Sequence, residues 1–186
     1  MQLTRIRAKD FIHLKFYHMH FFVKGNSVVR QIWGKSDTIL FIFAGASAEF
    51  ALNKAVDWLY YTGRLPSDPL GRLFSTVGYA RKIVFAPEQE ACKAIEYMRQ
   101  IHASVEANRG ASIPDWAYRD VLFMLIFYSI AAYELLERKL AGEEKEEVYQ
   151  VFYRMGTRMG LKELPLAYKE WLPVREAHLA ADLQRS

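Results

Sequence analysis

One long apolar segment in the second half of the chain constrains the fold more than any other feature. After Ser112 and Pro114, which mark a helix start, the segment DWAYRDVLFMLIFYSIAAYELLER is apolar on almost every side of a helix. Its uncharged stretch, residues 121–133, is well short of the roughly 20 residues that a bilayer-spanning helix needs. A helix without a polar face must be surrounded by other elements. The segment therefore predicts the central helix of a helical bundle.

Prolines, glycines and capping residues divide the rest of the chain into further helices. Ser27 precedes a short helix that stops at Gly34, while Pro69 and Pro87 each stand at a helix start. Two further patterns predict one helix through residues 46–63 and two short helices in the tail, separated at Pro173. No window alternates strongly with period two. We therefore predict an all-α, single-domain bundle of about seven or eight helices.

Charge divides the chain into a basic start and a nearly neutral remainder. Residues 1–35 hold seven Lys or Arg against one acid, Asp10, so this segment has a charge of +6. Because the whole chain has a net charge of +4, the remainder has a charge of −2. We therefore treat residues 1–35 as a basic N-terminal arm and residues 36–186 as the domain. A basic arm of this kind is either a solvated terminus or a contact with a membrane surface, an acidic partner or a nucleic acid. We expect no nucleic-acid partner and keep a peripheral membrane contact open. The single cysteine, Cys92, excludes an internal disulfide and fits a cytoplasmic protein.

The candidate site lies in a pair of helices over residues 68–109. Arg72, Ser75, Thr76 and Tyr79 follow i, i+3, i+4, i+7 spacing, so one face of the first helix carries an arginine, two hydroxyls and a phenol. On the second helix, His102 stands in an apolar stripe and its imidazole points to the interior. Spacing alone leaves two interpretations open: a hydrogen-bonded core histidine or an axial ligand of haem iron, with aromatic residues and an arginine completing the pocket.

The order of the motifs in these two helices resembles the catalytic domain of the MpaB and rubber oxygenase family. The family pattern is Asp-Pro-x-x-Arg, then Thr, a valine-rich helix end, and later Ile-His-x-x-Val. The residues that carry the pattern here are Asp68, Pro69, Arg72, Thr76, Val84, Ile101, His102 and Val105. A later segment with Gly followed by Leu-Pro also resembles the family's final helices. The resemblance covers roughly residues 38–172.

This resemblance implies an all-α, b-type haem oxygenase that cleaves or oxidises an apolar isoprenoid or lipid with O₂. His102 would be the iron ligand, Arg72 and Thr76 would lie on the distal side with Ser75, and Tyr79 would line the pocket. Ser75 stands where the rubber enzymes have a lysine, and Ile126 and Tyr128 stand where many members have tryptophan and histidine. These differences leave an alternative open: a non-catalytic all-α protein that binds a lipid or a protein partner in the same cavity.

Overall fold

The computed structural model of the chain describes residues 20–61, 63 and 67–184, excepting the side chains of residues 59, 69 and 72. The elements in these ranges are eight α-helices with two isolated β-bridges, which confirms the predicted all-α class. The helices are α1 Val28–Trp33, α2 Ser36–Ala51, α3 Val56–Tyr60, α4 Pro69–Phe85, α5 Glu88–Arg109, α6 Asp115–Leu136, α7 Gly142–Met159 and α8 Tyr168–Asp182. No helix within these ranges is both long enough and apolar enough to cross a membrane.

Helix α6 is the centre of the bundle, as its apolar sequence predicted. Ten of its side chains are buried, and it packs against α1, α2, α7 and α8. Phe123 and Ile126 are fully enclosed at 0% exposure. Burying side chains of this size contributes roughly 1.5–3 kcal/mol each to folding, so α6 holds the other helices together.

The short helix α1 forms a second centre of packing although it has only six residues. Ser27 caps it by accepting a hydrogen bond from the backbone N–H of Val29 at 3.1 Å. Its apolar side chains are buried among α2, α4, α6 and α7. Just before it, Phe22 and Val23 are also buried. The predicted basic arm, residues 1–35, stays a prediction because residues 1–19 lie outside the described ranges. Within the rest of that segment, buried side chains between residues 22 and 33 contribute to the core.

The prediction of one helix through residues 46–63 was wrong. Helix α2 ends at Ala51 and α3 begins at Val56, with a turn between them. The side chain of Asn53 accepts a hydrogen bond from the backbone N–H of Ala55 at 2.8 Å, which replaces the helical pattern. The same turn is bonded to the end of α8: Lys54 N donates to Asp182 O at 2.9 Å. A contact between distant segments therefore overrides the local helical spacing.

The prediction of two tail helices separated at Pro173 was also wrong. Helix α8 is continuous over Tyr168–Asp182 and contains Pro173. A proline there removes one backbone hydrogen bond and crowds the preceding turn. Trp171 and Arg175 lie on one face, before and after the proline, and both are buried. Packing on both sides of Pro173 keeps the two halves of the helix together.

Candidate functional site

Helices α4 and α5 form a hairpin joined by only two residues, Ala86 and Pro87. Asp68 caps α4 by accepting a hydrogen bond from Gly71 N at 2.9 Å. A Cβ on Gly71 would lie 1.9 Å from that carboxylate, so the cap needs glycine here. At the other end, Glu88 N donates to His20 O at 2.8 Å, which fixes the start of α5. The sequence signals for both helix starts are confirmed.

The polar face predicted on α4 lies on the helix as expected, with unequal exposure along it. Ser75 is exposed, whereas Thr76 and Tyr79 are half-buried. The ring of Tyr79 lies 6.0 Å from the ring of Tyr97 on α5, with 33° between the two planes. This contact ties the end of the polar face to the neighbouring helix. The backbone of Arg72 belongs to α4, and its side chain lies outside what the structure describes.

His102 is half-buried on α5 and has an aromatic partner that the sequence did not indicate. The ring of Tyr118, on α6, packs on the His102 ring with 5.4 Å between the two centroids and 83° between the two planes. The Tyr118 hydroxyl donates to Glu106 Oε1 at 3.3 Å, and the same oxygen accepts from Ile113 N at 2.8 Å. Burial first, and then the charge of Glu106, raises the pKa of Tyr118 well above its usual range. The phenol therefore stays protonated and keeps its orientation beside His102.

Two open grooves lie on the surface of the described ranges, and neither is lined by His102. The larger, of about 760 Å³, lies along α5 and includes Cys92, Tyr97 and Arg158. The smaller, of about 560 Å³, includes Phe127 and Trp171. Tyr97 connects the larger groove to the polar face of α4 through its contact with Tyr79.

A group of buried polar side chains lies between α2, α6 and α8 and is called the polar seam here. One part of the polar seam is the ion pair of Glu49, on α2, with Arg175, on α8, whose side chains are 8% and 5% exposed. Tyr128 lies beside Glu49, and its pKa is raised by burial and then by the Glu49 charge. The ring of Tyr128 lies where a Cβ on Gly45 would be, 2.3 Å away, so glycine is needed in α2. Tyr128 is therefore part of a specific packing arrangement, and Ile126 is a core residue.

The other part of the polar seam consists of Asp120, on α6, with His178 and Asp182, on α8. Each offers one possible metal-ligating atom, and these three atoms lie within 4.8 Å of one another. His178 Nδ1 contacts Asp120 Oδ1 and lies 3.5 Å from Asp182 Oδ2. Burial, followed by repulsion from Asp120, raises the pKa of Asp182. We did not predict this group from the sequence, because Asp120 is 58 residues from His178. The one local signal was the i, i+4 spacing of His178 and Asp182 on α8.

Residues 31–181 match the family described as ER-bound oxygenase mpaB/B′/rubber oxygenase, catalytic domain. The chain belongs to this family. No curated protein and no solved structure matches it. The match includes all of α2 to α7 and most of α8, so the family domain contains both the α4–α5 hairpin and the polar seam.

Membership in the mpaB and rubber oxygenase family makes this an oxygenase-like domain and indicates a metal or haem cofactor. The donor chemistry around His102 suits haem better than a bare ion. Within the described ranges, the group of three or more metal-ligating side chains is Asp120, His178 and Asp182, and His102 is not part of it. A bare ion in a protein usually needs three or four protein donors. Haem iron takes four nitrogens from the porphyrin and needs one imidazole from the chain, so a single histidine fits it.

Proposed function

We propose that this protein is a haem-b-dependent oxygenase that uses O₂ to oxidise or cleave an apolar isoprenoid or lipid substrate. The observation that carries the proposal is the family match over residues 31–181, which includes the complete α4–α5 hairpin with its ordered motif. The half-buried, ring-packed imidazole of His102 supports it, because one such donor is what haem requires from the chain.

His102 would hold the iron through one ring nitrogen. Haem supplies an iron centre that activates O₂, and the chain's own residues provide orientation and polarity. The ring of Tyr118 packs nearly perpendicular to the His102 ring and its hydroxyl is bonded to Glu106, so the plane of the imidazole is restrained by α6. Orientation by neighbouring groups is a general requirement of metal-ligating histidines. Glu106 is therefore a positioning residue in this proposal.

The residues of α4 would form the other wall of the pocket. Arg72 would pair with a haem propionate or organise the distal side, and Ser75 and Thr76 would offer hydroxyl hydrogen bonds to O₂ or to an oxygenated product. Tyr79 would close the end of the pocket through its contact with Tyr97.

Exposed apolar side chains on α4 support an apolar substrate. Leu70 is 65% exposed and Phe74 is 69% exposed, and Phe74 directly precedes Ser75. Leu70 and Phe74 stand one helical turn apart and therefore share a side of α4. Contiguous exposed apolar patches mark surfaces that bind apolar partners or ligands. An isoprenoid or acyl chain is a substrate of this character.

The test is a haemin titration of the wild-type protein and two matched variants. The wild type and His20→Ala should each develop a Soret band equivalent to about one haem per chain, because His20 is an exposed residue outside the helices. His102→Ala should lose the band or bind haem far more weakly. A His102→Ala protein that keeps the full band at one equivalent would contradict the ligand assignment. If haem binds as expected, oxygen uptake with an isoprenoid substrate then tests the oxygenase activity.

The same exposed α4 residues favour one alternative, a non-catalytic protein that binds a lipid. This alternative predicts no Soret band with haemin and saturable binding of a fluorescent fatty acid. The Phe74→Ser variant should weaken fatty-acid binding in that case. A protein that binds haem and consumes oxygen with an isoprenoid would exclude the alternative.

A further inference from the structure

The Asp120, His178 and Asp182 group has the composition and geometry of a cation site separate from the α4–α5 hairpin. Asp120 is buried on α6 at 2% exposure, and His178 and Asp182 lie one turn apart on α8. The His178 ring packs on Phe123 at 5.1 Å, so its orientation is fixed and Nδ1 faces both carboxylates. Two carboxylate oxygens and one imidazole nitrogen are thus directed at one small volume.

Neighbouring groups hold these ligand atoms in place. Asn53 donates through Nδ2 to Asp120 Oδ2 at 2.7 Å, and its own Oδ1 is fixed by Ala55 N. Asp120 Oδ1 is hydrogen-bonded to His178 Nδ1. The backbone after α2 and the end of α8 are joined by Gln184 N to Leu52 O at 2.7 Å. Support of this kind around the ligating groups is a general feature of protein metal sites.

The charge of the group calls for a cation. Two carboxylates face one imidazole here: His178 Nδ1 contacts Asp120 Oδ1 and lies 3.5 Å from Asp182 Oδ2. The nearest basic side chains bond to other groups and reach Asp182 only through their charge: Lys54 Nζ donates to the carbonyl of Ala181, and Arg119 pairs with Glu163 at 3.2 Å. Two carboxylates this close and this far from solvent are costly unless a proton, a cationic imidazole or a metal ion lies between them.

We propose that Asp120, His178 and Asp182 bind one divalent first-row metal ion and that this ion fastens α8 to α6. Mixed imidazole and carboxylate ligation suits Mn²⁺, Fe²⁺ and Zn²⁺ rather than thiolate-preferring ions. Three protein ligands leave coordination positions for water. The side chains of His178 and Asp182 are 14% and 17% exposed, which gives the ion access from solvent.

The site is independent of the haem proposal. It lies between α6, α8 and the turn after α2, whereas His102 faces Tyr118 from α5. Asp120 and Tyr118 stand two positions apart on α6 and therefore point to different sides of that helix. Failure of haem binding would leave this proposal untouched, and the reverse is also true.

The test is calorimetric titration of chelator-treated full-length protein with Zn²⁺ and, separately, Mn²⁺ near pH 7. One equivalent of at least one of the two should bind and raise the melting temperature. Asp182→Asn removes a ligand charge while keeping the shape of the side chain, and it should weaken binding by at least about tenfold. His178→Ala should do the same. His102→Ala and Asp57→Asn serve as matched controls and should bind the metal as the wild type does.

Two results would overturn the proposal. The first is the absence of saturable binding of either ion to the folded wild-type protein. The second is binding that survives unchanged in a folded Asp182→Asn variant, because the ion would then be held elsewhere. If His178→Ala fails to fold, Asp182→Asn still decides the question, since circular dichroism can establish that it is folded before titration.

Discussion

The buried pair of Glu49 and Arg175 makes the sharpest prediction about stability. Its side chains are 8% and 5% exposed, and the guanidinium also lies 5.6 Å from the centre of the Phe127 ring. Glu49→Gln keeps the size of the side chain, but it leaves the Arg175 charge buried without a counter-ion. Removing one partner of a buried pair costs about 3–5 kcal/mol. For a domain of this size, that corresponds to a melting temperature lower by about 6–20 °C.

The assay is chemical denaturation with circular dichroism, read as the free energy of unfolding. The control is Glu96→Gln, which removes a carboxylate from the exposed pair of Glu96 and Arg99 and should leave the midpoint unchanged. The double variant Glu49→Leu with Arg175→Met should recover most of the loss, because no charge is then left unpaired. The reasoning is refuted if Glu49→Gln stays within about 1 kcal/mol of the wild type, or if the double variant is less stable than Glu49→Gln.

Two further predictions concern packing and pH. Gly45→Ala should destabilise the protein by about 1–3 kcal/mol, because its Cβ would lie 2.3 Å from the Tyr128 ring. Gly78→Ala is the control: no atom lies within 4 Å of its Cβ position, so it should be neutral or stabilising in the same denaturation assay. Equal effects of the two substitutions would contradict the packing of Tyr128 on Gly45. Hydrogen bonding to Arg138 lowers the pKa of Glu144 to about 2. The stability that the ionised Glu144 carboxylate contributes is therefore present above pH 4.5 and is lost as the pH falls towards 2. Melting curves of Glu144→Gln should show a smaller loss of stability over that interval than those of the wild type. Identical pH profiles of the two proteins would contradict this role of Glu144.

The parts of the fold that the sequence predicted correctly are set by short-range chemistry. The start of α1 depends on Ser27 bonding to Val29, and the start of α4 depends on Asp68 bonding to Gly71. The central position of α6 follows from its composition. Each of these signals is complete within a few residues, so it can be read without knowing the rest of the structure.

The parts that it missed depend on residues far apart in the chain. The break after α2 depends on Asn53, which bonds Asp120 67 positions away. The continuity of α8 through Pro173 depends on buried neighbours on both sides of it. The Glu49–Arg175 pair joins residues 126 positions apart. No periodicity within one helix reveals such contacts.

For the candidate site, the sequence placed residues on helices but could not supply their surroundings. Spacing put Ser75, Thr76 and Tyr79 on one helix, and the structure places them there. Tyr118, which meets His102, belongs to another helix and was not predicted. The roles of Arg72, Ser75, Thr76, Tyr79 and His102 in binding and catalysis stay predictions, supported by the ordered motif and by family membership.

The central claim is that His102 holds one haem in each chain, and the most direct measurement is the absorption spectrum of freshly purified protein with a pyridine haemochrome assay. The account predicts a Soret band, a b-type haemochrome and close to one iron porphyrin per polypeptide. A colourless protein whose spectrum is unchanged by added haemin would contradict it. His102 would then be a ring-packed residue of the hairpin.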